Sequence, residues 1–257
     1  MAAIAELWHR FEQRDRSALT RLLTMLARGQ GVDEIRRYID AETPSDKIDG
    51  ERADFRVVAF TGSGGVGKSS LVGKSIEHLR KQGRTVAVLA CDPESSLTGG
   101  ALLGDRVRMA PADDDGVLVR SLAVSAGRQA IAENLDLMIA LLRRYGFDRV
   151  ILETVGAGQG DTAVRSVADV LVLLVQPETG DDLQWEKAGL LEVADLVVVH
   201  KGDLPGAERA LAQLREMLNL PGCRDVPVLR ASAARAQGLA ELWQAIDALP
   251  VGTSGRS

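Results

Sequence analysis

Only 2 cysteines occur among the 257 residues, and Cys91 and Cys223 stand far apart in the chain. Thiols so few and so distant argue against a disulfide framework and against a Cys-rich metal site. Basic runs are absent: Lys plus Arg number 31 against 36 Asp plus Glu, a formal charge of −5. An acidic chain of this kind is a poor nucleic-acid binder. No apolar run approaches the roughly 18 residues needed to span a bilayer. The first residues, MAAIAELWHRFEQRD, lack the apolar stretch and small-residue site of a secretory signal. These absences predict a soluble cytoplasmic protein with neither a nucleic acid nor a membrane as partner. What is present is ordinary for a globular protein, 46% hydrophobic and 26% charged, enough for a sizeable core without staples.

The chain divides in two. Ile4, Leu7, Trp8 and Phe11 recur at helical spacing, as do Leu19, Leu22, Leu23 and Leu26, with Ser17 expected to cap the second stripe. Gly29 and Gly31 interrupt, and a shorter pattern follows at Ile35, Tyr38 and Ile39. Residues 1–45 therefore read as an N-terminal helical extension, and 41–53, polar and broken by Pro44 and Gly50, as a linker. From residue 54 to 250 the pattern changes. Apolar runs at 55–62, 85–92, 117–124, 149–156, 169–176, 195–202 and 226–232 alternate with amphipathic stretches near 68–82, 128–145, 206–219 and 238–248. Continuous Val/Leu/Ile runs of this kind predict an α/β fold, a mostly parallel sheet covered by helices on both faces. Ligands of such sheets bind beyond the carboxyl ends of the strands.

The residues that follow the runs carry the chemistry. Gly62, Ser63, Gly64, Gly65, Val66, Gly67, Lys68 and Ser69 fit GxxxxGK[ST], directly after an apolar run and before a helical one. Glycines there let backbone N–H groups turn toward a β-phosphate, and the helix N-terminus adds the positive end of its dipole. Lys68 would place its charge between the β- and γ-phosphates. The Ser69 hydroxyl would bind Mg²⁺, and Ser70 completes the nucleotide-binding set. Mg²⁺ prefers hard oxygen ligands, and Asp92, Asp105 and Glu153 are candidates to supply them. Glu153 ends a strand where a Walker-B acid would lie, and Gly156 three residues on could donate its N–H to the γ-phosphate.

The other end of the ligand is addressed by His200-Lys201-Gly202-Asp203, which resembles the guanine signature NKxD with His for Asn. An Asp carboxylate accepts from guanine N1–H and N2–H₂, a donor pair that adenine lacks, so guanine is favoured. Lys201 would lay its stem along the base. His200 either donates to N7 or lowers affinity and selectivity. Ser232 and Ala233, after the last run, look like the loop whose backbone N–H reads guanine O6.

Taken together, VAVLACDPESSLTGGALLGDRVRM, RVILETVGAGQGDTAV and GDDLQWEKAGLLEVADLVVVHKGD resemble the MeaB/ArgK family of P-loop GTPases over roughly residues 15–249. The resemblance implies a SIMIBI-type G domain that binds GTP or GDP with Mg²⁺. It implies hydrolysis of GTP in the service of an adenosylcobalamin-dependent acyl-CoA mutase such as methylmalonyl-CoA mutase. The family gates cofactor loading and protects or reactivates the mutase. Mg²⁺-related roles are implied for Ser69, Asp92, Asp105 and Glu153, and a switch role for Gly156, Gln159 and the residues that follow. Residues 181–187 resemble a further switch, with Lys187 the candidate to meet transition-state charge; Lys187-Ala188 replaces the family's paired lysines, and the unusual Trp185 before it is expected either to meet a partner or to pack in the core. Slow intrinsic turnover is expected, accelerated by a partner acting on 93–108, 156–164 and 178–189. The family's C-terminal dimerisation arm has no counterpart after LAELWQAIDAL, where only PVGTSGRS follows, so a homodimer is left open. Three alternatives remain: a nickel-insertion GTPase, which would need clustered Cys and His, a small-molecule kinase or ATPase on the same fold, and a nucleotide-bound scaffold without turnover.

Overall fold

The computed structural model describes residues 2–41, 54–93, 114–124, 133–155, 164–177, 188–219 and 224–250. Three helices come first: α1 (Ala2–Glu12), α2 (Arg16–Ala27) and α3 (Val32–Ala41). Then β1 (Arg56–Thr61), α4 (Lys68–Lys81), β2 (Val86–Pro93), β3 (Val117–Val124), α5 (Leu135–Tyr145) and β4 (Arg149–Glu153) follow. The chain continues through β5 (Val170–Val175), α6 (Ala188–Val193), β6 (Leu196–Val199), α7 (Ala207–Leu218), β7 (Val228–Arg230) and α8 (Leu239–Ala248). Each predicted apolar run thus contains a strand.

The strands form a 7-stranded sheet in the order β3-β2-β4-β1-β5-β6-β7, and every neighbouring pair is parallel. The continuous apolar runs end up in the middle: every residue of β1, β4, β5 and β6 is buried. The edge strand β7 keeps an exposed arginine. Alternation along each strand separates the two faces. Val57 and Ala59 point to one face with α1, α2, α3 and α5, while Val58 and Phe60 point to the other with α4 and α8. Helices α6 and α7 extend the first face over Leu173, Val175, Val197 and Val199.

The N-terminal helices share this core. Leu19, Leu22, Leu23 and Leu26 pack in one cluster with Val57, Ala87, Val150 and Leu171 of the sheet, and Trp8 stacks on Tyr38 with ring centroids 5.2 Å apart. Two local expectations shift. Asp15, not Ser17, caps α2: its extended backbone precedes the first helical residue, and its carboxylate accepts from the Ser17 and Ala18 N–H groups at 2.8 and 3.3 Å. The helix expected over 128–145 begins at Leu135, after Asn134 in a left-handed conformation; residues 128–132, like the 42–53 stretch, lie outside the described residues.

At the carboxyl edge β1 lies between β4 and β5, and the chain leaves it toward β2 on one side and returns on the other. The loop after β1 therefore opens at the point where the sheet's winding reverses, the ordinary ligand position in such folds. Among the described residues no helix is long and apolar enough to cross a membrane.

Candidate nucleotide site

The loop from Gly62 to Gly67 joins the end of β1 to the start of α4. Gly62, Gly65 and Gly67 hold φ angles of +142°, +74° and +98°, a region costly for residues with a Cβ. A Cβ on Gly62 would strike the Leu174 carbonyl of β5, so the loop can approach the neighbouring strand only with glycine there. Lys68, 7% exposed, folds its ammonium back over the loop and donates to the carbonyls of Gly62 and Ser63 at 2.7 and 3.2 Å. Gly67 is the N-cap of α4, so the first N–H groups of that helix face the same concavity.

On one side stands β4. Its last residue, Glu153, is buried beside the β1 partner Phe60, and the Ser69 hydroxyl donates to Glu153 Oε1 at 2.5 Å. A hydroxyl and a carboxylate meeting at a helix N-terminus are hard oxygen donors, a set that fits Mg²⁺ with its remaining positions left to water or phosphate. Thr154 continues the strand, donating its N–H to the Phe60 carbonyl at 3.1 Å and its hydroxyl to Thr61 at 3.2 Å. These bonds fix the ends of β1 and β4 relative to each other.

On the other side a cleft of about 580 Å³ is lined by Gly67, Ser69 and Ser70 and by His200, Asp203 and Ala233, among others. Ser232 Oγ donates to Asp203 Oδ1 at 2.5 Å and accepts the Arg235 N–H at 3.1 Å. The Ser232 hydroxyl and the Asp203 backbone N–H hold the Asp203 carboxyl below the usual range, so it stands ready as an acceptor. Lys201, with a left-handed φ of +55°, donates Nζ to Gln176 Oε1 at 2.8 Å. Gln176 follows β5 and was not singled out from the sequence; its signal is its place as the polar residue just past an apolar run.

His200 is 3% exposed. Its Nδ1 lies 2.8 Å from the Val66 carbonyl, which can only accept, so Nδ1 carries the proton. Its Nε2 accepts the Ala233 N–H at 3.3 Å. Burial pushes the His200 pKa down, and that keeps the ring neutral. Both ring nitrogens are therefore engaged by the protein, so the expected donation to a base N7 has no N–H to supply it. The ring also explains Gly67: a Cβ there would lie 2.6 and 2.7 Å from His200 Cε1 and Nδ1.

The structure thus brings together Gly62 to Ser70, Glu153, His200, Lys201, Asp203, Ser232 and Ala233 at one edge of the sheet. Asp92 lies in β2, paired with Ala123 of β3, and its side chain is outside what the structure describes. Asp105, Gly156, Gln159 and the 181–187 segment with Trp185 and Lys187 also fall outside the described residues.

Fold and loop together define a P-loop nucleotide-binding protein. A family model described as methylmalonyl-CoA mutase-associated GTPase MeaB matches residues 19–251, and the chain belongs to that family. A Pyrococcus abyssi protein with a provisional GTPase name is 38% identical over 251 residues, 95% of this chain and 75% of that one. The fused isobutyryl-CoA mutase of Cupriavidus metallidurans is 33% identical over 243 residues, which cover 90% of this chain and 22% of that protein. Among solved structures, the LAO/AO transport system kinase superposes with a TM-score of 0.70 at 28% identity, covering 95% of this chain and 74% of that one. HypB from Helicobacter pylori, solved with nickel, has a TM-score of 0.54 at 17% identity over 88% of this chain and 97% of its own, a likeness of fold alone.

Proposed function

We propose that the chain binds GTP, hydrolyses it to GDP and phosphate, and serves an adenosylcobalamin-dependent acyl-CoA mutase as a chaperone. The observation that carries this reading is the alignment of three devices along one sheet edge. The glycine loop offers backbone N–H groups to phosphates, the Ser69–Glu153 pair offers hard oxygens beside them, and the Asp203 carboxylate offers an acceptor to the base. Water would attack the γ-phosphorus while the bond to the β,γ-bridging oxygen breaks and GDP leaves. Little covalent work falls to the protein; it holds the reactants in line and stabilises charge.

Lys68 swings from its loop carbonyls to the β- and γ-phosphate oxygens, and Ser70 and the α4 amides hold the phosphates nearest the helix. Ser69 and Glu153 would hold Mg²⁺, which when bound neutralises the charge shared by the phosphates. Asp92, Asp105, Gly156 and Lys187 keep the roles that family resemblance gives them. The mutase partner is supported by relatives in which a segment like this chain is part of a longer protein named fused isobutyryl-CoA mutase, in Cupriavidus metallidurans and Geobacillus kaustophilus. Fusion places such a segment beside a mutase permanently.

The test is phosphate release from GTP and from ATP, with Mg²⁺, alone and with a purified adenosylcobalamin-dependent acyl-CoA mutase. GTP is expected to be the better substrate, and the mutase to raise its turnover. Equal use of ATP defeats the guanine assignment. Phosphate appearing on an added small acceptor, rather than in solution, makes the protein a kinase. Turnover untouched by a panel of such mutases removes the chaperone role.

A further inference from the structure

The cleft holds a competition that its residue types do not announce. Guanine presents an acceptor, O6, next to its donors N1–H and N2–H₂. Asp203 suits the donors, and the N–H of Ala233, one residue beyond the Ser232 that holds Asp203, is the neighbouring group suited to O6. That N–H already donates to His200 Nε2 at 3.3 Å. The imidazole cannot turn away to release it, because Nδ1–H donates to Val66 O at 2.8 Å and the ring lies against Gly67. A flipped ring would put a C–H against each partner and leave a buried carbonyl and a buried N–H unpaired, a costly exchange.

We infer that His200 withholds the Ala233 N–H from the ligand, so that this chain selects its base through the N1–H and N2–H₂ edge facing Asp203 and not through O6. The inference rests on the guanine reading above and refines it. His200 is then a specificity-determining residue that never touches the base. It fastens the phosphate loop to the base loop, and recognition of a 6-substituent is lost in consequence. Asparagine at this position would keep a donor where Nδ1 stands, facing Val66 O. Being shorter, it would have no atom where Nε2 stands, and the Ala233 N–H would be released.

The experiment is calorimetry of the intact chain and of His200→Asn with the Mg²⁺ complexes of GDP, 6-thio-GDP, IDP and ADP. Sulfur at position 6 keeps N1–H and the 2-amino group and replaces a good acceptor with a poor one. The intact chain is expected to bind 6-thio-GDP within two-fold of GDP, and IDP, which lacks the 2-amino donor, roughly ten-fold more weakly. In His200→Asn the preference for GDP over 6-thio-GDP should grow to roughly three- to ten-fold, the worth of one neutral hydrogen bond. Discrimination beyond two-fold by the intact chain overturns the proposal, and this arm stands even where the variant fails to fold. A folded variant with an unchanged ratio overturns it too. GDP bound no tighter than ADP is a different failure: the guanine reading goes first and the inference goes with it.

Discussion

The hydroxyl of Ser69 and the carboxylate of Glu153 meet at 2.5 Å across the gap between the first turn of α4 and the end of β4. Two segments 84 residues apart are joined there, at the point where phosphate oxygens would arrive. Glu153→Gln keeps the volume and one acceptor oxygen and removes the charge. GTP turnover should fall roughly 10²- to 10³-fold, the usual loss when one group stabilising transition-state charge is removed, and saturation should need more Mg²⁺. Phosphate release across a Mg²⁺ titration measures both, and an unchanged Mg²⁺ dependence would remove Glu153 from the metal set.

The Lys68 ammonium is folded onto its own loop, held by the Gly62 and Ser63 carbonyls at 2.7 and 3.2 Å. Exchanging those carbonyls for phosphate oxygens converts neutral hydrogen bonds into charge-assisted ones. Lys68→Ala should therefore weaken nucleotide diphosphate and triphosphate binding by about 1.5–3 kcal/mol, roughly 10- to 100-fold in Kd. Calorimetry checks it, and equal affinity in the variant would mean that the lysine never leaves its carbonyls.

Gly65 and Gly67 separate two costs that glycine avoids. At Gly65, φ is +74° and a Cβ would meet nothing within 4 Å; at Gly67, φ is +98° and a Cβ would lie 2.6 Å from the His200 ring. Gly65→Ala should cost about 1–2 kcal/mol from backbone strain alone. Gly67→Ala adds a clash with a ring pinned at both nitrogens and should cost more. Pairing it with His200→Asn should return the steric part as a coupling above about 0.5 kcal/mol. Denaturant unfolding of the four proteins gives the cycle, and additivity would mean that the ring yields freely.

Much of this was legible in the sequence because it rests on local pattern. The run before Gly62, the glycine spacing and the helix after Lys68 are contiguous, so strand, loop and helix can be read together. Glu153, ending one strand run, and Asp203, just past another, were legible because a parallel sheet gathers its ligands there. What could not be read depends on distance in space. The bond from His200 to Val66 spans 134 residues, and its contact with Ala233 spans 33; in one dimension His200 was only a departure from a motif. Asp15 and Ser17 are both good capping types, and only the extended backbone at Asp15, which the sequence does not show, decides between them. The N-terminal stripe was legible as helix, but not which surface it covers, since amphipathicity names no partner.

That surface gives a further test. Leu23 is fully buried in the cluster that joins α2 to Val57, Ala87 and Leu171 of the sheet. Leu23→Ala should destabilise the protein by about 2–5 kcal/mol through lost burial and the cavity left behind. Because the cluster spans both segments, unfolding should stay a single transition by fluorescence and circular dichroism. A separate early transition, with the sheet unaffected, would make the N-terminal helices an independent unit.

The buried His200 imidazole makes stability depend on pH. Burial lowers its folded pKa below the ordinary 6.5, with Lys201 lowering it further and Asp203 and the Val66 carbonyl opposing. The unfolded chain therefore takes up a proton that the folded chain refuses, between 6.5 and the lowered value. Stability contributed by the neutral ring is fully present above pH 6.5 and is lost as pH falls through that window. Once protonated, Nε2 can no longer accept from the Ala233 N–H, and the base loop loses its fastening to Val66. Melting temperature should decline as pH drops from 7.5 to 5.5, a range flanking the reference His pKa of about 6.5. His200→Asn, with no group titrating there, should flatten that decline while leaving the separate loss at lower pH, where Asp203 takes up its proton. Identical profiles for the two proteins between those limits would show that the ring is not the group responsible.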